Sequence, residues 1–226
     1  MEVHPPDARL LTRCLRRGRD EDLGAELSGL DGQAWSRLVD RAVWHGVAPL
    51  LHHRLGRWED PGIPPSQRVR LRDVYHHCFL RNRAILEQLS DVLREITGAG
   101  HPVLALKGAH LAYCVYDEPA LRPLGDIDLL ARPDDAPNVQ RHLETLGYRH
   151  AAGTEGIDYS KLHHLRPVSR PGLVDVEVHH DLAPRGAPFT HDLLGLWDRS
   201  IHTPVADFDL PHLAPDDVLL HVCAHA

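Results

Sequence analysis

The hydrophobic period of this chain changes once, near residue 100, and that change separates what can be helix from what can be sheet. Before it, apolar residues recur at helical steps: Leu10, Leu11 and Leu15, then Trp35, Leu38, Val39, Ala42 and Val43, with Asp31 placed as an N-cap. Pro49 restarts the chain, and a breaker-rich stretch at 60–66 interrupts it. Leu71, Val74, Cys78, Ile85, Leu89, Val92 and Ile96 then follow at steps of three, four or seven, which predicts one long helix with one buried stripe, ended by Gly98 and Gly100. Beyond it, strand-like runs at 103–106 and 127–131 alternate with helical patterns at 108–116 and 134–146, the latter closed by Gly147. The run 173–179 alternates strictly, with Val174, Val176 and Val178 on one face and Asp175, Glu177 and His179 on the other. A helix around 191–197, a short strand near Val205 and a helix starting at Pro215 follow.

The expected fold class is therefore α+β, a mixed sheet flanked by helices and preceded by an all-helical region. The expected division is 1–98 for the helical region, 99–212 for the sheet-bearing core and 213–226 for the start of a C-terminal helical part. The last helix stops in mid-pattern, so a further C-terminal helical part is expected.

Charge narrows the partners. Lys+Arg 25 against Asp+Glu 32 leaves a formal charge of -7, which disfavours long nucleic acid, whose binding draws on phosphate neutralisation, and a polybasic membrane patch. No apolar run approaches the ~18 residues that span a bilayer, and no secretory leader is recognisable at the start. Cys14, Cys78, Cys114 and Cys223 lie far apart with no C-x-x-C pair, which predicts reduced, buried thiols and a cytoplasmic location.

Two carboxylates open the strand at 127–131. Asp126 and Asp128 share one face, on the order of 7 Å apart along the backbone, while Ile127 points away. A D-x-D pair is more often the polar edge of a half-exposed strand than a metal site, but oxygen-only ligands at this spacing suit Mg²⁺ or Mn²⁺ bridging a triphosphate. Asp175 or Glu177 can add the third carboxylate. Context strengthens this reading, because Lys107-Gly108 joins a strand to a helix, and a helix start preceded by glycine offers N–H groups to phosphate.

The stretch from Leu106-Lys107-Gly108 to Tyr116, the run Arg122-Pro123-Leu124-Gly125-Asp126-Ile127-Asp128-Leu129-Leu130, then Pro133-Asp134-Asp135 and Leu146-Gly147-Tyr148 resemble the uncharacterised nucleotidyltransferase family of the polymerase-β-like superfamily. The resemblance covers residues 100–181, and more loosely 44–47 and 213–225. It implies a nucleotidyltransferase-type sheet with Asp126 and Asp128 as the first two metal carboxylates. In that family the third stands two residues before a histidine, which selects Glu177 ahead of His179. Gly108 takes the phosphate-loop glycine position, and Lys107-Gly108-Ala109 stands where the wider superfamily has a glycine-serine pair.

Other residues leave alternatives open. Lys107 either contacts phosphate or pairs with an acid. Arg122 either neutralises pyrophosphate or tethers Asp126, and Asp175 is a candidate proton acceptor. His179 is read as a hydrogen-bonded structural histidine, and Asn82 as a satisfied core amide or a cleft residue. His221 and His225 have the i, i+4 spacing of a zinc pair but no third ligand. The adjacent pairs His52-His53, His76-His77 and His163-His164 are read as surface. The expected function is metal-dependent transfer of a nucleoside monophosphate from an NTP such as ATP to a small-molecule or protein acceptor, releasing pyrophosphate. The alternatives are an inactive interaction or antitoxin-like module, and a phosphohydrolase.

Overall fold

Capping and apolar spacing set the helices of the first half. The computed structural model describes residues 6–16, 21–58, 62–183 and 192–224. Helices α1 (Pro6–Leu15), α2 (Glu21–Ser28), α3 (Gly32–Trp44) and α4 (Ala48–Leu55) precede α5 (Pro65–Gly98). Asp31 caps α3 by accepting the Ala34 N–H at 2.7 Å, and Pro49 lies in the first turn of α4, where a missing N–H costs nothing. The predicted stripe of α5 is buried at Leu71, Cys78, Ile85, Leu89, Val92 and Ile96. Gly100, at φ +87°, ends this helix as His101 donates to the Ile96 carbonyl at 3.1 Å. Part of the breaker stretch, 59–61, lies outside the described residues.

The chain divides into two compact units, 1–82 with 116–123, and 83–115 with 124–226. The division therefore falls inside α5 rather than at its end, and residues from 213 onward belong to the second unit. In the first unit α1–α4 and the start of α5 enclose Trp35, Leu38, Val39, Ala42, Leu51 and Leu71. Asn82 is buried there and donates to the carbonyls of Pro119 at 2.7 Å and Arg122 at 2.8 Å, so its amide is satisfied by backbone.

Among the described residues the second unit has seven strands: β1 (Val103–Ala105), β2 (Ile127–Ala131), β3 (Arg149–His150), β4 (Val168–Ser169), β5 (Val176–His179), β6 (Ile201–Val205) and β7 (Phe208–His212). Their order is β3-β4-β5-β2-β1-β7-β6. The β2/β5 and β1/β7 pairs are parallel and the remaining pairs antiparallel, which makes the fold α+β with a mixed sheet. Alternation sends Ile127, Leu129, Val176 and Val178 toward Leu89, Ile96 and the helix α7 (Ala136–Thr145). Leu104, Leu106 and Leu130 instead join Leu196 of α8 (Leu193–Arg199) and Val218 of α9 (Pro215–Ala224). Asp128 and Glu177 lie on this second face.

Several boundaries differ from the sequence pattern, each for a local reason. The strand expected at 173–179 pairs regularly only from Val176. Gln88 of α5 takes both backbone groups of Val174, receiving its N–H at 3.0 Å and donating to its carbonyl at 2.8 Å. Residues 108–116 begin as α6 (Lys107–His110) and widen into a π-helical turn, Leu111–Val115. The single strand expected near Val205 is one arm of a β6–β7 hairpin, turned through Ala206 at φ +53°. Pro204 and Pro211 mask its strand pattern. All four cysteines are free thiols, but only Cys14 and Cys78 are buried; Cys114 is half-buried and Cys223 exposed, so the expectation of uniform burial fails. Among the described residues no helix is long and apolar enough to cross a membrane.

Leu89 is fully buried whereas Leu80 of the same helix is 66% exposed. Leu89→Ala is expected to cost about 2–5 kcal/mol, and Leu80→Ala less than about 0.5 kcal/mol. Urea midpoints of the two variants check this.

Candidate active site

Strands β2 and β5 run parallel with Asp128 directly opposite Glu177, so the two side chains stand on one face about 4.8 Å apart across the strands. The Ile127 N–H donates to the Asp175 carbonyl at 2.9 Å and continues this ladder. Asp126 precedes β2 on the same face and is exposed, whereas Asp128 is 5% exposed. Asp175 is exposed and immediately precedes β5, opposite the start of β2 rather than opposite Asp128.

A buried carboxylate needs positive or hydrogen-bonding partners, and Asp128 has both. His179 Nε2 lies 2.9 Å from one Asp128 oxygen and 3.5 Å from Glu177 Oε2; Lys107 Nζ lies 3.8 Å from the other Asp128 oxygen. His179 is fully buried, and the structural role expected of it is visible in this bridge between the two acids. Lys107 leads out of β1 at φ +35°, a left-handed conformation that costs a non-glycine residue on the order of 1 kcal/mol. Its ammonium pairs with an acid, one of the two roles open to it.

The titration shifts follow these contacts. Burial alone pushes Asp128 upward, but the His179 hydrogen bond and the His179 and Lys107 charges outweigh it, and the net shift is downward. Glu177 is lowered first by its hydrogen bond to His179, against burial. Burial opposes the charge on His179, yet the bonds to Asp128 and Glu177 prevail and raise it. Asp126 is raised, by desolvation first and then by the neighbouring charges of Asp128 and Glu177. The ligating atoms of Asp128, Glu177 and His179 lie within 4.8 Å of one another, with Asp126 outside that group. Carboxylate oxygens of this kind, crowded enough to raise one of their number, form a donor set that fits Mg²⁺ or Mn²⁺.

The remaining expected residues fall in different places. Gly108 sits in the first turn of α6, and a Cβ there would meet the Leu124 Cδ2 methyl at 3.0 Å, a contact that the leucine side chain would have to ease by a few tenths of an ångström. Arg122 belongs to the first unit, where its carbonyl accepts from Asn82. His221 is buried and helps hold Asp128 low, while His225 lies outside the described residues.

Reading His163-His164 as surface is incorrect. Both are half-buried, and their rings lie 5.2 and 5.3 Å from that of His179. His164 Nδ1 is 3.8 Å from Glu177 Oε2. The Leu165 N–H donates to Val178 O at 2.8 Å and the His180 N–H to His163 O at 2.9 Å, which lays this segment along β5. The usable signal was the apolar Leu162 and Leu165 flanking the pair. His52 and His53 are likewise half-buried, and only His76 and His77 are exposed as expected.

Residues 31–226 match the family model of the uncharacterised nucleotidyltransferases. No curated protein matches the chain. Among solved structures, a candidate nucleotidyltransferase from Thermotoga maritima is similar at 13% identity and TM-score 0.49, covering 66% of this chain and 88% of its own. A lincosamide antibiotic adenylyltransferase, LnuA, solved with lincomycin bound, is similar at 15% identity and TM-score 0.43, covering 59% of this chain and 83% of its own.

The His179 bridge predicts the shape of the stability curve. A histidine raised in the folded state stabilises fully below its unfolded value of about 6.5 and loses that contribution as pH rises through its folded value. His52, His110 and His212 are lowered, mainly by burial, so their effect grows only as pH falls below about 6.5. Stability is therefore expected to fall as pH rises above about 6.5, and His179→Gln to flatten that limb. Urea unfolding across pH 6 to 9 reads the slope; a wild-type curve rising through this window contradicts the bridge.

Proposed function

Because this chain belongs to the uncharacterised nucleotidyltransferase family, we propose that the β2–β5 face transfers a nucleoside monophosphate from an NTP to an acceptor hydroxyl with release of pyrophosphate. The observation that carries this reading is the in-register pairing of Asp128 with Glu177, with Asp126 on the same face. That arrangement concentrates carboxylates on one face of β2 and β5, whose opposite face is apolar.

Asp126, Asp128 and Glu177 would hold Mg²⁺ or Mn²⁺. When bound, such an ion supplies charge neutralisation for the phosphates and acidifies an acceptor hydroxyl. The protein's own groups do the positioning. His179, fixed by burial, orients Asp128 and shares its proton with Glu177. Lys107 can turn from Asp128 toward a phosphate, since its ammonium remains partly exposed. Gly108 lets the start of α6 approach a phosphate without a side chain in the way. The acceptor's proton would pass to a carboxylate that does not hold the ion, for which Asp175 is the candidate. The acceptor class proposed is a small molecule or a protein side chain, given the acidic balance of the chain.

The test is a melting grid of Mg²⁺ or Mn²⁺ against each of the four NTPs, run beside a pyrophosphate-release assay on the same samples. Metal and nucleotide together are expected to raise the wild-type Tm by more than the sum of their separate effects, on the order of 5 °C at a hundredfold excess over Kd. Asp126→Asn with Asp128→Asn, and Glu177→Gln alone, are expected to lose that coupling while remaining folded. Asp175→Asn is expected to keep it. Coupling without pyrophosphate release would favour an inactive binding module; equal responses from wild type and the double variant would reject the site.

A further inference from the structure

A second cluster of metal-binding side chains stands apart from the three carboxylates. His110 ends α6, Cys114 follows one turn later in the π-helical segment, and His212 ends β7, which pairs with β1 through Ala105. One ligand atom from each of the three lies within 4.8 Å of the others. Two come from neighbouring turns of one helix and the third from the sheet beneath it, so the fold fixes their meeting.

The His212 ring is already oriented as a ligand. His212 Nδ1 donates to the Leu213 carbonyl at 2.8 Å, which leaves the lone pair on Nε2. A backbone acceptor on the far nitrogen is the usual partner that orients a metal-bound imidazole. The Thr203 hydroxyl of β6 lies 2.9 Å from that Nε2 and also hydrogen-bonds Cys114. The His110 ring stacks on His212 with centroids 4.1 Å apart and planes 16° from parallel. Both imidazoles are buried, at 4% and 2% exposure, while Cys114 is half-buried. Burial pushes His110 down to about 4.

We propose that His110, Cys114 and His212 bind one zinc(II) ion, with water in the fourth position. The chemistry of the donors selects the metal: a thiolate and two neutral imidazoles suit a borderline-soft ion, whereas Mg²⁺ keeps to the carboxylates of β2 and β5. Binding releases one proton, from the Cys114 thiol to solvent, and leaves the site with a net charge of +1. Zinc–ligand bonds of about 2.0–2.3 Å in a tetrahedron place donor atoms roughly 3.3–3.8 Å apart. The last ångström of closure comes from His110 swinging out of its stack on His212. The bound ion would pin the helical turn that follows Lys107 and Gly108 to β7, so it is a structural clamp beside the nucleotide-binding element rather than part of the carboxylate site.

Cobalt(II) is the probe, added to untagged, chelator-treated full-length chain. One equivalent is expected to give the near-ultraviolet thiolate-to-cobalt absorption of a Cys-ligated site, and one equivalent of zinc to abolish it. Cys114→Ala is expected to lose the band and Cys223→Ala to keep it. Asp126→Asn with Asp128→Asn is also expected to keep the band, so failure of the catalytic reading leaves this result unchanged. In the wild-type chain, zinc is expected to slow alkylation of Cys114 at least tenfold, read by mass spectrometry of its peptide, which keeps the test valid if the alanine variant does not fold. Absence of the band in wild type, its survival in Cys114→Ala, or unchanged alkylation with zinc would overturn the proposal.

Discussion

Everything distinctive about the second unit depends on holding two carboxylates side by side on adjacent parallel strands. The Asp128–Glu177 pairing in β2 and β5 brings like charges together at strand spacing, and Asp128 is nearly sealed from water. Without compensation this crowding would protonate one acid or loosen the strands. His179 resolves it from within, reaching both acids from the residue two past Glu177 on its own strand. Lys107 adds a second positive charge from the end of β1. The opposite face of the same strands is purely apolar, with Ile127, Leu129, Val176 and Val178 packed on α5 and α7. One face of these strands thus supplies apolar packing that offsets the cost of crowding carboxylates on the other.

The surrounding irregularities fit this division of labour. Lys107 carries a strained backbone where β1 turns into α6, and that helix widens at once into a π turn. Departures from regular geometry concentrate where function does. Here they lie within a few residues of the lysine that touches Asp128, and they also bring Cys114 under His110 and beside Thr203. Gln88 performs the matching task at the other end, holding Val174 so that β5 enters the sheet in the register that sets Glu177 against Asp128.

Much of this was legible in the sequence because it is local. Asp31 as a cap, the α5 stripe, the glycine ends at Gly100 and Gly147, and the alternation that puts Glu177 and His179 on one face all follow from helical and strand periods. The carboxylates were visible because D-x-D and V-E-V-H fix their facing without knowledge of the neighbours. What stayed hidden depends on tertiary contact. Gln88 looks like any polar helix residue until Val174 is beside it, and nothing in its own segment marks His212 as the partner of His110. Proline in both arms of the β6–β7 hairpin suppressed its pattern, and the His163-His164 pair reads as polar surface until β5 is laid against it.

The most direct test of the account is where a paramagnetic ion comes to rest. Manganese(II) added with a nucleoside triphosphate to isotopically labelled protein broadens amide resonances according to their distance from the ion. The account predicts that residues 126–128 and 177–179 broaden first, at substoichiometric Mn²⁺, and that Asp128→Asn abolishes this selectivity. Early broadening centred anywhere else on the chain, or the same pattern in Asp128→Asn, would contradict it.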